Sequence, residues 1–477
     1  MARCHQGVAH LWCMFFQEQP SRSETLGILA FDAAKTMCRL ISLYKSLSDG
    51  EILRLHRHII MSKSITNLKS LDECFLLNLA SAERLEDLNL AVTSVSRLAG
   101  HCSDKALIRF DTVFADIKHG VADLKKLEFG TREVERKIES MERFVSTTRS
   151  LHKAMESLTE METAEKKLQR WRNMRANHGN KVKVECFSER ILLTRRQVNY
   201  YKQVSLWNQT FDKVVGLMAR IIYVVYPRIC SLFGSLVSGV ANDKHNNVKS
   251  VLRPNFENCC CRLEHRELYM TNLCLLDQND GLKKRPKDSP HMMKRFNSHH
   301  IQTHRVELGN EGGAVANNNR VYRLAPPSTV GGAGLSTRYA NMILLMERCA
   351  HAMAIGDDVR VVLYEMLPER LREKLSVKLK HEWLEWEKLE KGKDEGLSGV
   401  VMRWRETVEK KMEWLSPVAH NMVRWQAERN LEKQKFDTRP TVLLLQTLHY
   451  SDLQKVEEAT VEVLIGLSCL YWYRKKL

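Results

Sequence analysis

Proline and glycine are both scarce in this chain of 477 residues, which holds 10 prolines and 22 glycines. Folds built from strands and turns need these residues at their many turns, so their scarcity favours long helices. The hydrophobic share of 44% is still enough to bury a core in two or three domains. The composition therefore predicts an all-α protein with more than one domain.

Signatures of common catalytic sites are absent as well. The sequence has no HExxH motif, nucleophile elbow, kinase signature set or EF-hand loop. The glycine run Gly331–Gly334 lacks the lysine that completes a phosphate-binding loop, and Pro326 and Pro327 make a poor preceding strand for a dinucleotide site. We predict that the run is a tight turn where backbones approach closely. No catalytic residue and no small-molecule substrate is evident, and we predict that the protein is not an enzyme.

The 13 cysteines are odd in number, and most stand singly within apolar helical patterns. This usage favours reduced, buried thiols in an intracellular protein over a disulfide framework. A zinc site is the alternative for Cys259–Cys261 together with His265, Cys274 and His291. Three adjacent cysteines cannot comfortably share one tetrahedral ion, so we predict neither a metal nor another cofactor.

No convincing transmembrane segment is found, because none of the apolar stretches reaches the roughly 20 residues that a span requires. The most apolar stretch, Ile221–Val240, is interrupted by Pro227 and Arg228 and fits a buried or interfacial helix. Met1 is followed by Ala2 and not by glycine, so we expect no N-myristoyl anchor. A signal peptide is not expected either, since the apolar start lacks a small-residue cleavage site.

Positive charge is concentrated in the middle of the chain. The net charge is +17, and residues 161–326 account for +14 of it. Within this region a basic cluster forms a candidate nuclear-import signal: Lys283, Lys284, Arg285, Lys287, Lys294 and Arg295. Plain solubility and contact with nucleic acid are the alternatives. Nucleic acid is the weaker one, since no aromatic residues interleave with the cluster. We predict a nuclear location, a cytoplasmic location or both.

Apolar residues recur at spacings of three and four over most of the chain, as on one face of a helix. We predict a helical domain at 24–120, a long antiparallel helical hairpin at 121–240, a disordered basic linker at 241–325 and a helical domain at 326–477. The linker is assigned because its polar composition cannot offset the entropy of ordering. Self-association through the hairpin seam is a less favoured alternative.

Three local features are also predicted from the sequence. Ser48 and Glu51 form a capping box at the start of a helix. His420 lies on an apolar helix, which indicates a satisfied core histidine. The segment VLLLQTL at 442–448 is either a strand or a buried helix, since periodicity does not separate the two.

Several segments resemble the plant PSK-simulator-like family. They include LGILAFDAAKTMCRLISLYKSLSDGEI at 26–52, SLWNQTFDKVVGLMARI at 205–221, STVGGAGLSTRYANMILLMER at 328–348 and VLLLQTLHYSDLQKVEEATVEVLIGL at 442–467. The resemblance implies a role in promoting plant growth, with a link to signalling by the peptide hormone phytosulfokine. Some members are nuclear. Others begin with Met-Gly and look myristoylated, unlike Met1-Ala2 here. The family has no defined catalytic residues, so none is transferred to this chain.

Together these observations predict a non-enzymatic regulator or adaptor that binds protein partners through broad helical surfaces. Two alternatives stay open. One is a nuclear protein that contacts nucleic acid through the basic centre. The other is a membrane-peripheral helical protein that uses Ile221–Val240 and its basic neighbours.

Overall fold

A computed structural model describes residues 24–69, 72–119, 130–174, 181–243, 320–352, 357–391, 396–429 and 436–476. These residues form an all-α fold, as the sequence predicts. They contain no β-strand, only isolated bridges that join Thr25 to Thr210 and Thr329 to Asp452. The predicted linker lies outside the described residues except for 241–243 and 320–325. The predicted domain boundaries stay a prediction.

The helices fall into three groups along the chain. The first group is α1 (Ala30–Ser46), α2 (Asp49–Arg54), α3 (Lys63–Leu68), α4 (Glu73–Ala99), α5 (Lys105–Ile108) and α6 (Phe110–Lys118). The second group is α7 (Thr131–Met174), α8 (Lys181–Val204) and α9 (Phe211–Asp243). The third group is α10 (Arg320–Arg323), α11 (Ser336–Ala352), α12 (Asp357–Met366), α13 (Glu369–Lys391), α14 (Gly396–Arg429) and α15 (Leu453–Lys476).

Helix α2 begins where the sequence predicts, but only half of the capping box forms. Ser48 has extended backbone, and its side chain accepts a hydrogen bond from the Glu51 backbone N–H at 3.4 Å. The Glu51 carboxylate instead accepts two hydrogen bonds from the Arg54 guanidinium, at 2.6 and 3.0 Å. A single turn of π-helix, Leu55–Ile60, follows α2 directly.

Helices α7 and α8 form an antiparallel hairpin within the predicted range 121–240, but the hairpin ends at Val204 and not at 240. Their contact seam includes Leu151, Ala154 and Val198, which are buried against each other. Polar contacts also join the two helices, since Arg195 pairs with Glu162 at 2.8 Å. The second helix ends at Val204, where the chain turns sharply. The apolar pattern that continues from Phe211 therefore belongs to α9, a separate helix that packs against α4.

Helix α9 carries the apolar stretch that the sequence places in a buried or interfacial helix. Its segment Phe211–Gly234 is, among the described residues, long and apolar enough to cross a membrane, with a mean hydropathy of 1.4. Half of that segment is buried inside the protein, including Ile222, Val225 and Ile229. A helix at the centre of a protein core passes the same test, so the segment is weak evidence for a membrane span.

Two apolar cores meet along residues 436–452, a largely extended segment that we name the strap. Helix α4 also contributes to both cores, through Leu88 to the first and Leu79 to the second. The first core is formed mainly by α1, α4, α6, α7 and α9, and the second by α11 to α15. In the strap, Leu443 and Leu445 belong to the first core, whereas Val442 and Leu444 belong to the second. From Val442 to Leu445 the strap is thus buried on both sides, and its alternating side chains pack into different halves of the molecule.

Two sequence predictions are corrected by these features. The segment 442–448 is neither a strand nor an α-helix, since it is extended apart from the short 3₁₀ turn Leu444–Gln446. His420 is not a core histidine. Its side chain is 60% exposed on α14, where its Nε2 lies 2.7 Å from Glu347 Oε2. The spacing that places His420 near the apolar residues of α14 does not fix which side of that stripe it occupies.

Candidate functional site

The charged residues of α4 meet the C-terminal half at a buried polar contact, which we name the joint. At its centre lies Glu83, whose side chain is 1% exposed. Its carboxylate accepts hydrogen bonds from Arg429 Nη2 at 2.6 Å, Trp425 Nε1 at 2.8 Å and the Leu444 backbone N–H at 2.7 Å. One carboxylate on α4 thus binds α14 and the strap at once.

Two arginines complete the charge balance of the joint. Arg84 donates to the side-chain hydroxyl of Thr441 at 2.7 Å and to its carbonyl at 3.1 Å. Arg429 also pairs with Asp87, at 3.2 Å. Arg84 and Arg429 therefore face Glu83 and Asp87, and Arg39, Glu86 and Glu428 lie close enough to influence them, so buried charges of both signs are paired.

Burial shifts the pKa values of these groups in opposite directions. Burial raises the pKa of Glu83, and Arg429 together with the donated hydrogen bonds opposes that rise. Burial lowers the pKa of Arg84, and Asp87 opposes it. For Arg429 burial also favours a lower pKa, but the carboxylates of Asp87 and Glu83 outweigh it and raise the value. The joint therefore holds its charges by mutual pairing, and removing one member leaves an unbalanced charge in a buried site.

Lys69 is a second buried cationic group between the two halves. Its Nζ donates to the Thr447 carbonyl at 2.8 Å and to Ser451 Oγ at 2.9 Å. Burial lowers the pKa of this lysine to about 7. Next to it, the Leu68 carbonyl accepts a hydrogen bond from the Asp452 backbone N–H at 2.8 Å. The end of α3 is therefore fastened to the strap.

His449 on the strap is fully buried against the segment that precedes α11. Its Nε2 lies 2.8 Å from the Tyr322 carbonyl, and its Nδ1 lies 2.9 Å from Ser336 Oγ. A carbonyl can only accept, so Nε2 carries the proton and Nδ1 accepts from Ser336. The Tyr322 ring stacks on the imidazole at a centroid distance of 3.9 Å. Burial lowers the pKa of His449 to about 4, so the ring is neutral at pH 7.

The glycine run is the close-approach turn that the sequence predicts. A Cβ on Gly331 would lie 2.4 Å from the His449 ring, and one on Gly332 would lie 2.1 Å from the Pro326 carbonyl oxygen. Gly334 has a φ of +71°, which favours glycine. Thr329 Oγ1 accepts a hydrogen bond from the Gly332 N–H at 3.1 Å. The turn thus places the N-terminus of α11 against the strap.

A cleft of ≈ 660 Å³ lies on the other side of the strap. One wall is formed by the segment from α2 to α3, and the opposite wall by α14. Cationic groups on its walls include Arg54, Lys63 and Arg424. Each has a carboxylate partner nearby, as Lys63 has in Glu413 at 2.8 Å. These cations are therefore paired with carboxylates on or beside the walls, which does not favour an anion site.

The site residues predicted from the sequence are not part of the joint. The candidate import cluster and Cys259–Cys261 with their neighbouring ligands fall outside the described residues. Within the described ranges, no group of three or more His, Cys, Asp or Glu residues could hold a metal ion. Cys38, Cys102, Cys349 and Cys469 are free thiols and are buried, as the helical patterns predict.

Sequence reasoning missed the joint. Glu83, Arg84 and Asp87 look like a solvated helix face, because charged residues on a helix usually face water. A signal was present in their context, since apolar residues surround them on nearly every side of α4, including Leu79 and Leu88. A helix that is apolar on several sides is expected to be covered by other elements.

Both halves that meet at the joint match known families of unknown function. Residues 28–84 match a "Domain of unknown function (DUF3475)", and residues 329–424 match a "Protein of unknown function (DUF668)". In the structure, the two matched regions pack against each other through α4 and α14, with the strap beside them. Glu83 and Arg84 lie at the end of the first match, and Trp425 and Arg429 lie just beyond the second.

Three plant proteins are similar along nearly the whole chain. Protein PSK SIMULATOR 1 of Arabidopsis thaliana is 21% identical over 94% of this chain and 56% of its own length. PSK SIMULATOR 3 is 22% identical over 92% of this chain and 55% of its own length, and PSK SIMULATOR 2 is 21% identical over 96% and 61%. These similarities confirm the resemblance to the PSK-simulator-like family.

The chain spans just over half the length of these curated relatives. No solved structure matches it.

Proposed function

We propose that this protein is a regulator of plant growth that acts by binding protein partners and is linked to phytosulfokine signalling. The observation that carries the proposal is its similarity to three PSK SIMULATOR proteins over 92–96% of its length. That similarity spans α4, α14 and the strap, so it covers the parts that pack the two domains together.

A non-enzymatic adaptor role is supported by how the buried ionisable groups are used. Glu83, Asp87, Arg84 and Arg429 neutralise one another within the joint. His449 is occupied by hydrogen bonds on both nitrogens and sits beneath the Tyr322 ring. These groups hold helices together and do not converge on an open cavity, as acid and base groups of an active site would.

The test is genetic. Plants without the gene should grow less and respond less to added phytosulfokine, and the full-length wild-type gene should restore both. Root length with and without the peptide hormone measures the effect. Unchanged growth and an unchanged hormone response in the mutant would contradict the proposal.

We further propose that the protein enters the nucleus through the basic cluster Lys283–Arg295. The support is the sequence alone, in which six basic residues lie within 13 positions. A fluorescent fusion should accumulate in nuclei, and alanine at Lys283, Lys284, Arg285 and Lys287 should return it to the cytoplasm. Exclusion of the wild-type fusion from nuclei would refute the proposal.

A further inference from the structure

Helix α8 presents two different apolar faces, and the described residues of the chain cover only one of them. The inner face contains Ile191 and Val198, which are 3% and 5% exposed and face the hairpin partner α7. With 3.6 residues per turn, Leu193, Tyr200 and Val204 lie on the opposite side of the helix. Leu193 is 56% exposed and Tyr200 is 60% exposed.

The exposed apolar residues Leu193, Tyr200 and Val204 lie on one side of α8, at spacings of seven and four. Arg196 lies on the same side between Leu193 and Tyr200, so one charged residue interrupts the apolar line. Leu192, which is also exposed, lies beside them. We name these five residues the outer stripe. The stripe has the spacing of a coiled-coil seam, but in this structure no described element of the chain packs along it as α7 packs along the inner face.

Charge around the outer stripe indicates what would cover it. Helix α8 contains six basic residues and only two acidic ones. Arg195 pairs with Glu162, and Lys202 lies 4.6 Å from the centre of the Trp207 ring. Arg190 and Arg196 are exposed, and neither has an ion-pair partner within the described part of the chain. Glu189, four residues before Leu193, is exposed on the same side, so a covering helix would find apolar contacts beside two arginines and one carboxylate, with a net positive charge.

We propose that the outer stripe of α8 binds an acidic amphipathic helix of a partner protein, which packs on the hairpin as a third strand of a coiled coil. Leucine-like side chains of the partner would lie between Leu193, Tyr200 and Val204. Its glutamates would pair with Arg190 and Arg196. This inference rests on the proposed adaptor function and names a surface and a partner chemistry for it.

Two other occupants fit the observations less well. A second copy of the chain would bring its own Arg190 and Arg196 to the same seam, and like charges across a coiled-coil seam oppose pairing. Nucleic acid would satisfy the arginines, but its backbone offers nothing that would cover the exposed side chains of Leu193 and Val204. The combination of apolar spacing and positive flanks is met best by an acidic helix.

The test uses the full-length protein and two labelled synthetic helices. Each helix has about four heptads with leucine at positions a and d, and either glutamate or lysine at positions e and g. Like charges at these positions keep each peptide from pairing with itself. Fluorescence anisotropy at low salt should show binding of the glutamate peptide, and at least about tenfold weaker binding of the lysine peptide.

Variants locate the binding site. The double variant Leu193→Gln/Tyr200→Gln and the double variant Arg190→Glu/Arg196→Glu should each weaken binding of the glutamate peptide by about tenfold or more. Val377→Gln is the matched control, because Val377 is an exposed apolar residue on α13, far from this helix in sequence. It should bind as the wild type does. Circular dichroism checks that all variants keep their helix content.

Several results would overturn the inference. They are equal binding of the two peptides, unchanged binding by both stripe variants, or a dimer in sedimentation that Leu193→Gln/Tyr200→Gln dissociates. Tighter binding of an RNA oligonucleotide that competes with the glutamate peptide would also overturn it. Such a result would refute the proposal that the outer stripe binds an acidic helix. It would not affect the genetic test of growth regulation, so the two proposals can fail separately.

Discussion

The joint and the hairpin use charged and apolar residues in opposite ways. At the joint, charged side chains such as Glu83 and Arg84 are buried and bound by several partners each. On the hairpin, apolar side chains such as Leu193 and Tyr200 are exposed, and the arginines beside them face solvent. Each region departs from the usual rule that apolar residues are buried and charges exposed, and the departures have different consequences.

A buried charge costs free energy unless it is paired, so the joint specifies one arrangement of the two domains. An exposed apolar stripe contributes almost nothing to the folded chain alone, so its presence indicates a surface for another molecule. The difference predicts that substitutions at the joint reduce stability, whereas substitutions on the outer stripe of α8 leave stability unchanged and affect only binding.

The largest effect is expected for Glu83→Gln. The amide has no charge to pair with Arg429. Its NH₂ group would also face N–H groups that now donate hydrogen bonds to the Glu83 carboxylate. Arg429 would keep only its longer contact with Asp87, and breaking a buried ion pair lowers the unfolding free energy by about 3–5 kcal/mol. Urea unfolding followed by tryptophan fluorescence measures the loss, since Trp425 is itself a partner of Glu83.

Glu413→Gln is the matched control for this change. Glu413 pairs with Lys63 across the same two halves of the chain, but both side chains are more than half exposed. Exposed ion pairs contribute about 0–1 kcal/mol, so this variant should be nearly as stable as the wild type. Equal losses in the two variants would show that burial does not distinguish the joint.

Acidification should lower the unfolding free energy, because the buried His449 of the strap is held in its neutral form. Its pKa is about 4 in the folded protein and 6.5 in its ordinary state, so only the unfolded chain binds this proton between those values. Stability from this group is complete above pH 6.5 and is lost as the pH falls to about 4, by about 3 kcal/mol in all. Glu83 and Glu86 act in the opposite direction, because burial raises their pKa values.

The contribution of the histidine is therefore read as a difference between two proteins. The unfolding free energy of the wild type and of His449→Gln is measured from pH 7 to pH 4. The wild type should lose more stability over this range than the variant. Parallel curves would mean that His449 takes up no proton on unfolding.

An added methyl group at the glycine turn should destabilise the fold, unlike one on a helix surface. In Gly332→Ala the new Cβ would lie 2.1 Å from a backbone oxygen, which cannot move aside alone, and such overpacking costs about 1–3 kcal/mol. Gly399 on α14 has nothing within 4 Å of the same position. Gly399→Ala should therefore stabilise the protein by about 0.5–1 kcal/mol. Thermal unfolding of both variants compares the two sites, and a stabilised Gly332→Ala would contradict the close approach.

The sequence predicts the hairpin better than the joint, for a physical reason. Helical periodicity is a local property, so a helical hairpin within 121–240 and the tight turn at Gly331 can be recognised from neighbouring residues. The end of the hairpin at Val204 is not visible in that pattern, because apolar spacing continues into α9. The burial of Glu83 depends on Arg429, which lies 346 positions away. The path of 442–448 likewise depends on two cores that form on its two sides. Local patterns do not report contacts of this kind.

The smallest effect on stability is expected on the outer stripe, where the variant Leu193→Gln/Tyr200→Gln should change the unfolding free energy by no more than about 0.5 kcal/mol. Leu151→Ala, on the inner seam of the same hairpin, removes a fully buried side chain and should cost about 2–5 kcal/mol. Urea unfolding of both variants compares the two faces directly. If the stripe variant were destabilised as strongly as Leu151→Ala, the stripe would be covered by the chain itself, and its exposed leucines would not indicate an external partner.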